Sequence, residues 1–158
     1  MAKVFMICGK LCSGKSTYSQ ALRLSEKAVI LSIDEVMLGM LDPYLGDKHE
    51  MYSKRAETLI LNKAVEVVRT DINVILDWGF WRRAQRDKIR AFFDEKNIEY
   101  ELHYLYVPDD IWHARIQKRN KDIQNGKSDA YFVDENLLNK FISRFEPPSE
   151  DEHHKLIQ

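Results

Sequence analysis

Residues 9–16 read Gly9-Lys10-Leu11-Cys12-Ser13-Gly14-Lys15-Ser16, and Thr17 follows. Two glycines five apart, then a lysine and a hydroxyl residue, fit G-x-x-x-x-G-K-[ST], the Walker A pattern. Its chemistry is that of holding an anion. Glycine permits the dihedrals that let successive backbone N–H groups wrap a phosphate. The helix expected after it aims the positive end of its dipole at the same charge. Lys15 can reach the β and γ phosphates of a nucleoside triphosphate, and the Ser16 hydroxyl is a ligand for Mg²⁺. Gly9 to Thr17 are the candidate nucleotide-binding residues.

Two aspartates follow apolar runs further along. Asp34 closes "AVILSID" and Asp77 closes "NVILD". A carboxylate in such a place can take the proton of an attacking hydroxyl, and it can also cap the next helix. Asp34 is the candidate general base and an acceptor contact. Asp77 is read as touching Mg²⁺ through water or holding the acceptor. Arg115 and Arg119 are four apart, on one face of an expected helix. They precede the polar stretch "KDIQNGKSDAYFV", expected to be a mobile loop. A lid over about residues 115–133 would bring arginine onto the phosphates and exclude water. The basic run "RRAQRDKIR" suits a polyanionic acceptor, but such runs are more often solvated faces. Trp78, Phe80 and Trp81 either stack on a flat acceptor or base, or pack beneath a loop. The five histidines form no metal-binding pattern.

These residues need elements to position them. "KVFMIC", "AVILSID", "NVILD" and "ELHYLYV" are short apolar runs bounded by turn residues, the pattern of buried parallel strands. Helical patterns lie between them: "STYSQALRL", "EVMLGML" stopped by "DPYLGD", Glu50 to Arg69, Arg82 to Lys96, and Asp109 to about Asn120. Asp134 is expected to cap a last helix through Phe145, and "HHKLIQ" to begin a fifth strand. Strands alternating with helices make an α/β domain with a parallel sheet. Ligands bind such sheets at the carboxyl ends of the strands. Gly9, Asp34 and Asp77 are then brought to one edge, with the second strand expected beside the first.

Composition bounds the rest. The 158 residues are read as a single domain, 1–158, with 44% hydrophobic residues for its core. The balance of 24 basic and 25 acidic residues argues against a strongly basic nucleic-acid binder. Cys8 and Cys12, four apart, make neither a disulfide framework nor a zinc site and fit a reducing cytosol. No run approaches the roughly 20 apolar residues of a membrane span, so a soluble cytoplasmic protein is expected. "DWGF" is not D-x-x-G and "RNKDIQ" is not N-K-x-D, which argues against a GTPase. Asp77 has no glutamate beside it, which argues against a hydrolytic ring ATPase.

Taken together, "GKLCSGKST", "ILSID", "VILDWGFWRRAQRD", "HARIQKRN" and "FEPPSEDE" resemble the small AAA-type P-loop kinase family. That family is similar to the phosphotransferase domain of phage polynucleotide kinase, with chloramphenicol phosphotransferase and the zeta toxins more distant. The resemblance runs from Val4 to about Glu152. It implies a three-layer α/β/α sandwich with a mostly parallel five-stranded sheet, and ATP and Mg²⁺ as cofactors. It implies that Lys15 and Ser16 serve phosphate and Mg²⁺, that Asp34 is the general base, and that Arg119, seconded by Arg115, meets ATP. Asp77 with Arg86 matches the element that holds the acceptor. Two departures stand out: "WGF" follows Asp77, and Glu35 stands where polynucleotide kinases usually add an arginine. The second points to a small acceptor. The expected activity is ATP-dependent phosphorylation of a small-molecule hydroxyl by a monomer or homodimer. A polynucleotide 5′-hydroxyl kinase is the second reading, and an ATP-binding switch acting without an acceptor is the third.

Overall fold

The computed structural model describes residues 1–42, 45–127 and 133–158. Five strands alternate with six α-helices. The strands are β1 (Val4–Cys8), β2 (Ala28–Leu31), β3 (Asn73–Gly79), β4 (Tyr100–Leu105) and β5 (Lys155–Ile157). The helices are α1 (Lys15–Glu26), α2 (Ile33–Met40), α3 (His49–Val68), α4 (Arg83–Glu95), α5 (Asp109–Gln124) and α6 (Glu135–Arg144). The sheet order is β2-β3-β1-β4-β5, and every pairing is parallel.

β1 is central and all five of its residues are buried, as a strand covered on both faces requires. Its side chains alternate. Val4, Met6 and Cys8 join Ile60 and Ala64 of α3 and Ile89 and Phe93 of α4. Phe5 and Ile7 join Tyr18 and Leu22 of α1 on the other face. This is the three-layer sandwich. A third cluster, Trp112 and Ile116 of α5 with Val133, packs against Leu11 and Cys12.

Four local expectations shift. β2 lies beside β3 rather than β1, because β3 takes the place next to the central strand. β2 stops at Leu31, and Ser32 caps α2 by accepting the Glu35 N–H at 3.3 Å. Asp34 is therefore neither a strand end nor a cap; it lies exposed in the first turn of α2. β3 runs two residues past Asp77, to Gly79. α5 continues to Gln124, so the first residues of the expected mobile loop are helical. Val133 is tied back to Asn120, whose side chain accepts its N–H at 2.8 Å and donates to its carbonyl at 2.6 Å. Residues 128–132 of the expected lid, and Pro43 and Tyr44 of the expected turn, lie outside the described residues. Among the described residues, no helix is long and apolar enough to cross a membrane.

Candidate active site

β1 delivers the chain into the glycine loop and α1 carries it away. Gly9 donates its N–H to the Gly79 carbonyl at 3.0 Å, which anchors the loop to the end of β3. A Cβ on Gly9 would lie 2.6 Å from the Ser13 Oγ, inside the loop's own turn. Gly14 adopts φ 91° at the start of α1, a left-handed conformation that suits glycine. No side chain caps α1 and no acid stands in its first turn, so its first N–H groups remain for an anion. The loop therefore fits a phosphate by its backbone.

Four successive carbonyls of this loop each accept a side-chain N–H. Trp81 donates its indole N–H to the Gly9 carbonyl at 3.1 Å, and Lys15 donates to that of Lys10 at 2.8 Å. Trp112 donates to the Leu11 carbonyl at 2.6 Å, and Arg115 to that of Cys12 at 3.3 Å. Arg119 places an Nη1 3.4 Å from the Cys12 Sγ, and its Nε is buried without a partner among the described residues. Both arginines thus stand over the loop. Lys10 leans outward, 3.3 Å from Asp109 and 4.5 Å from the centre of the Trp112 ring.

The charges beside the loop are coupled. Burial pushes the Lys15 ammonium below the usual lysine range, while Asp77, and more weakly Asp34, draw it back up. Burial pushes the Asp77 carboxyl above the usual range; Lys15 opposes this and Asp34 reinforces it. The buried Ser19 hydroxyl also favours the Asp77 carboxylate, though no hydrogen bond of ordinary geometry joins them. The lysine charge is thus coupled to two carboxylates. The Ser16 hydroxyl and the Asp77 carboxylate are hard oxygen donors of the kind Mg²⁺ prefers. Among the described residues, no group of three or more His, Cys, Asp or Glu forms a metal cage.

Two cavities flank β1. One, of about 400 Å³, is lined by Asp34, Asp77 and Trp78 with Ser53 and Glu57 of α3 and Arg144 of α6. The other, of about 600 Å³, is lined by Gly14, Thr17, Tyr18, Tyr106, Arg115 and Ile157. The first lies on the β3 side of the loop and the second on the β4 and β5 side.

Arg86 does not join the acceptor side. The residue is 0% exposed, and each of its three guanidinium nitrogens donates. It makes two bonds to Glu152, at 2.8 and 2.7 Å, and two more to the Phe80 and Glu146 carbonyls, both at 2.8 Å. It is a structural clamp: four of the five guanidinium N–H donors are committed inside the protein, and none of its surface is open to a substrate. The rest of its basic run is likewise paired. Arg83 reaches Asp151 at 2.7 Å, Arg90 reaches Glu152 at 2.8 Å, and Lys88 reaches Glu57 at 2.7 Å. The run is a neutralised face. Of the three aromatics, Trp78 lines the cavity of about 400 Å³ with its N–H on the Leu31 carbonyl, Phe80 is core, and Trp81 braces the loop. Sequence reasoning missed Trp112 and Glu152, whose partners lie 101 and 66 residues away.

A parallel sheet whose central strand runs through a glycine loop into a helix, with the loop lysine folded back on it, defines a P-loop nucleotide-binding fold. Residues 4–148 match the family described as AAA domain. The chain belongs to that family. It is similar in structure to a kinase candidate from Chloroflexus aurantiacus, at 17% identity and TM-score 0.73, covering 99% of this chain and 83% of that one. It is similar to a gluconokinase from Sinorhizobium meliloti, at 15% identity and TM-score 0.61, covering 98% and 81%. It is also similar to a chain of the Pnkp1/Rnl/Hen1 RNA repair complex, at 16% identity and TM-score 0.68, covering 90% of this chain and 43% of that one. No curated protein sequence matches it.

Proposed function

We propose that the protein is an ATP-dependent kinase that moves the γ-phosphoryl group onto a hydroxyl of a small molecule, with Mg²⁺. The observation that carries this reading is that Asp34 and Asp77 line one cavity, while both carboxylates act on the charge of the loop lysine, Lys15. The acceptor hydroxyl lies against Asp34, which takes its proton. The acceptor oxygen bonds to the γ phosphorus as the bond to the β–γ bridging oxygen breaks, and ADP leaves. The proton passes from Asp34 to water. Lys15 and the loop N–H groups hold the phosphates, and Arg119 and Arg115 meet the charge from α5. Ser16 would hold Mg²⁺ with Asp77 opposite, and the ion would neutralise charge on the phosphates. Residues 115–133 act as the lid in this reading, and the protein works in the cytoplasm as a monomer or homodimer.

The cavity of about 400 Å³ suits a small acceptor. The pairing of Arg83, Lys88 and Arg90 with carboxylates leaves little positive charge for an oligonucleotide. The gluconokinase is a relative in fold with a small acceptor, and the RNA repair protein keeps the polynucleotide reading as the alternative.

The test follows γ-labelled ATP and Mg²⁺ into a small-molecule extract and into a 5′-hydroxyl oligonucleotide. Label is expected in the extract. Asp34→Asn is expected to bind ATP normally and to lose transfer by about a hundredfold or more, the usual size of a general-base effect. Unchanged transfer in that variant would remove Asp34 from the base role. Label in the oligonucleotide alone would establish the polynucleotide kinase, and release of free phosphate alone would favour the switch.

A further inference from the structure

We propose that Trp112 is a positioning residue for the phosphate loop: by holding the Leu11 carbonyl against α5, it sets the direction of the Cys12 N–H and so the loop's grip on phosphate. The proposal deepens the nucleotide-binding reading above and rests on it.

A trans peptide is planar, so its carbonyl and its N–H point opposite ways. Fixing the Leu11 carbonyl towards Trp112 therefore turns the Cys12 N–H away from α5. The bond is short, at 2.6 Å, and the indole cannot swing out of it. Trp112 is 1% exposed, packed with Ile116, Val133 and Leu137. Its ring also carries the Lys10 ammonium at 4.5 Å.

The bond is one of a set. Asp109, Trp112, Arg115 and Arg119 of α5 meet Lys10, Leu11, Cys12 and Cys12 again, in order along both segments. The three loop residues between Gly9 and Ser13 are thus set by α5 before any ligand arrives. Donors held in place beforehand need no reorganisation when phosphate binds. Neither the phosphate-loop pattern nor the roles proposed for Lys15, Asp34 and the arginines includes this indole.

Trp112→3-benzothienylalanine separates positioning from packing, because sulfur replaces the indole N–H in a bicyclic ring of nearly the same shape. Calorimetry with ADP and with pyrophosphate, each with Mg²⁺, reads the phosphate grip. Both affinities are expected to fall about tenfold, the size of one well-made hydrogen bond, with the thermal midpoint little changed. Unaltered affinities in a folded variant would overturn the proposal and leave the nucleotide reading standing. If the variant does not fold, nitrogen-15 NMR of the unmodified protein decides. Its Trp112 indole proton must exchange slowly with water and shift when pyrophosphate binds, and a fast-exchanging or unmoved signal would overturn the proposal. An unmodified protein that binds neither ADP nor pyrophosphate would overturn the nucleotide reading and this proposal with it.

Discussion

Lys15→Ala is expected to lower phosphoryl transfer by at least about a thousandfold while the protein stays folded. The lysine charge is felt by Asp77 and feels both Asp77 and Asp34. Its removal takes a donor from the phosphates and leaves two carboxylates without their counter-charge. A polyphosphate entering that site then meets repulsion as well as a missing contact. Burial already pushes the Asp77 carboxyl up, and without Lys15 nothing of comparable size opposes it. Both kcat and the affinity for ATP should fall, because the ammonium acts on bound nucleotide and on the transferring group alike. Steady-state kinetics with equilibrium ATP binding reads the split, and near-ultraviolet circular dichroism checks the fold. Transfer within tenfold of the unmodified protein would show that the glycine loop is not where the triphosphate lies.

The second large effect is on stability. Glu152 is 1% exposed at its side chain and receives Arg86 and Arg90 at 2.7 and 2.8 Å. The Arg86 hydrogen bonds come first among the causes that hold its carboxyl down at about 2, from 4.5. A depressed carboxylate stabilises the fold above its unfolded value, and that contribution drains away as pH falls from about 4.5 to about 2. At neutral pH the shift amounts to about 3 kcal/mol. Glu152→Gln removes it at every pH and leaves the buried Arg86 charge uncompensated, so a loss of about 3–5 kcal/mol is expected. Many domains have little more than that in total. Urea unfolding at pH 7 and pH 3 measures both parts: the gap between variant and parent should narrow in acid. A variant within 1 kcal/mol of the parent at pH 7 would mean that the Arg86 charge finds another partner.

The sheet and the loop were legible because their signals are local. The apolar run of β1, the Val74–Leu76 run of β3, the glycine spacing and the Asp134 cap each lie within a few residues. The order of strands was not, since nothing inside "AVIL" says which neighbour it will pair with. Asp34 was misread as a strand end because the cap two residues earlier, Ser32, starts a helix that an apolar run disguises. Arg86 was assigned to the acceptor, with Asp77, from the family resemblance. Its true partner, Glu152, comes from a polar tail whose fold no periodicity announces. Trp112 read as a helix residue on an apolar face, which it is; its indole N–H gives no sign in sequence of the carbonyl it holds.

The Arg86 clamp has a consequence for biosynthesis. Arg86 holds the Phe80 and Glu146 carbonyls together, the Glu146 N–H reaches the Trp81 carbonyl at 2.7 Å, and Trp81 in turn holds Gly9. The glycine loop leaves the ribosome among the first residues of the domain, yet its bracing closes only when Trp112 and then Glu152 have emerged. Contacts this distant along the chain form late. A nascent chain stalled before residue 152 would carry the whole Walker A sequence and only part of the scaffold that shapes it. Such a truncated chain is therefore expected to bind nucleotide more weakly than the full domain, however intact its glycine loop.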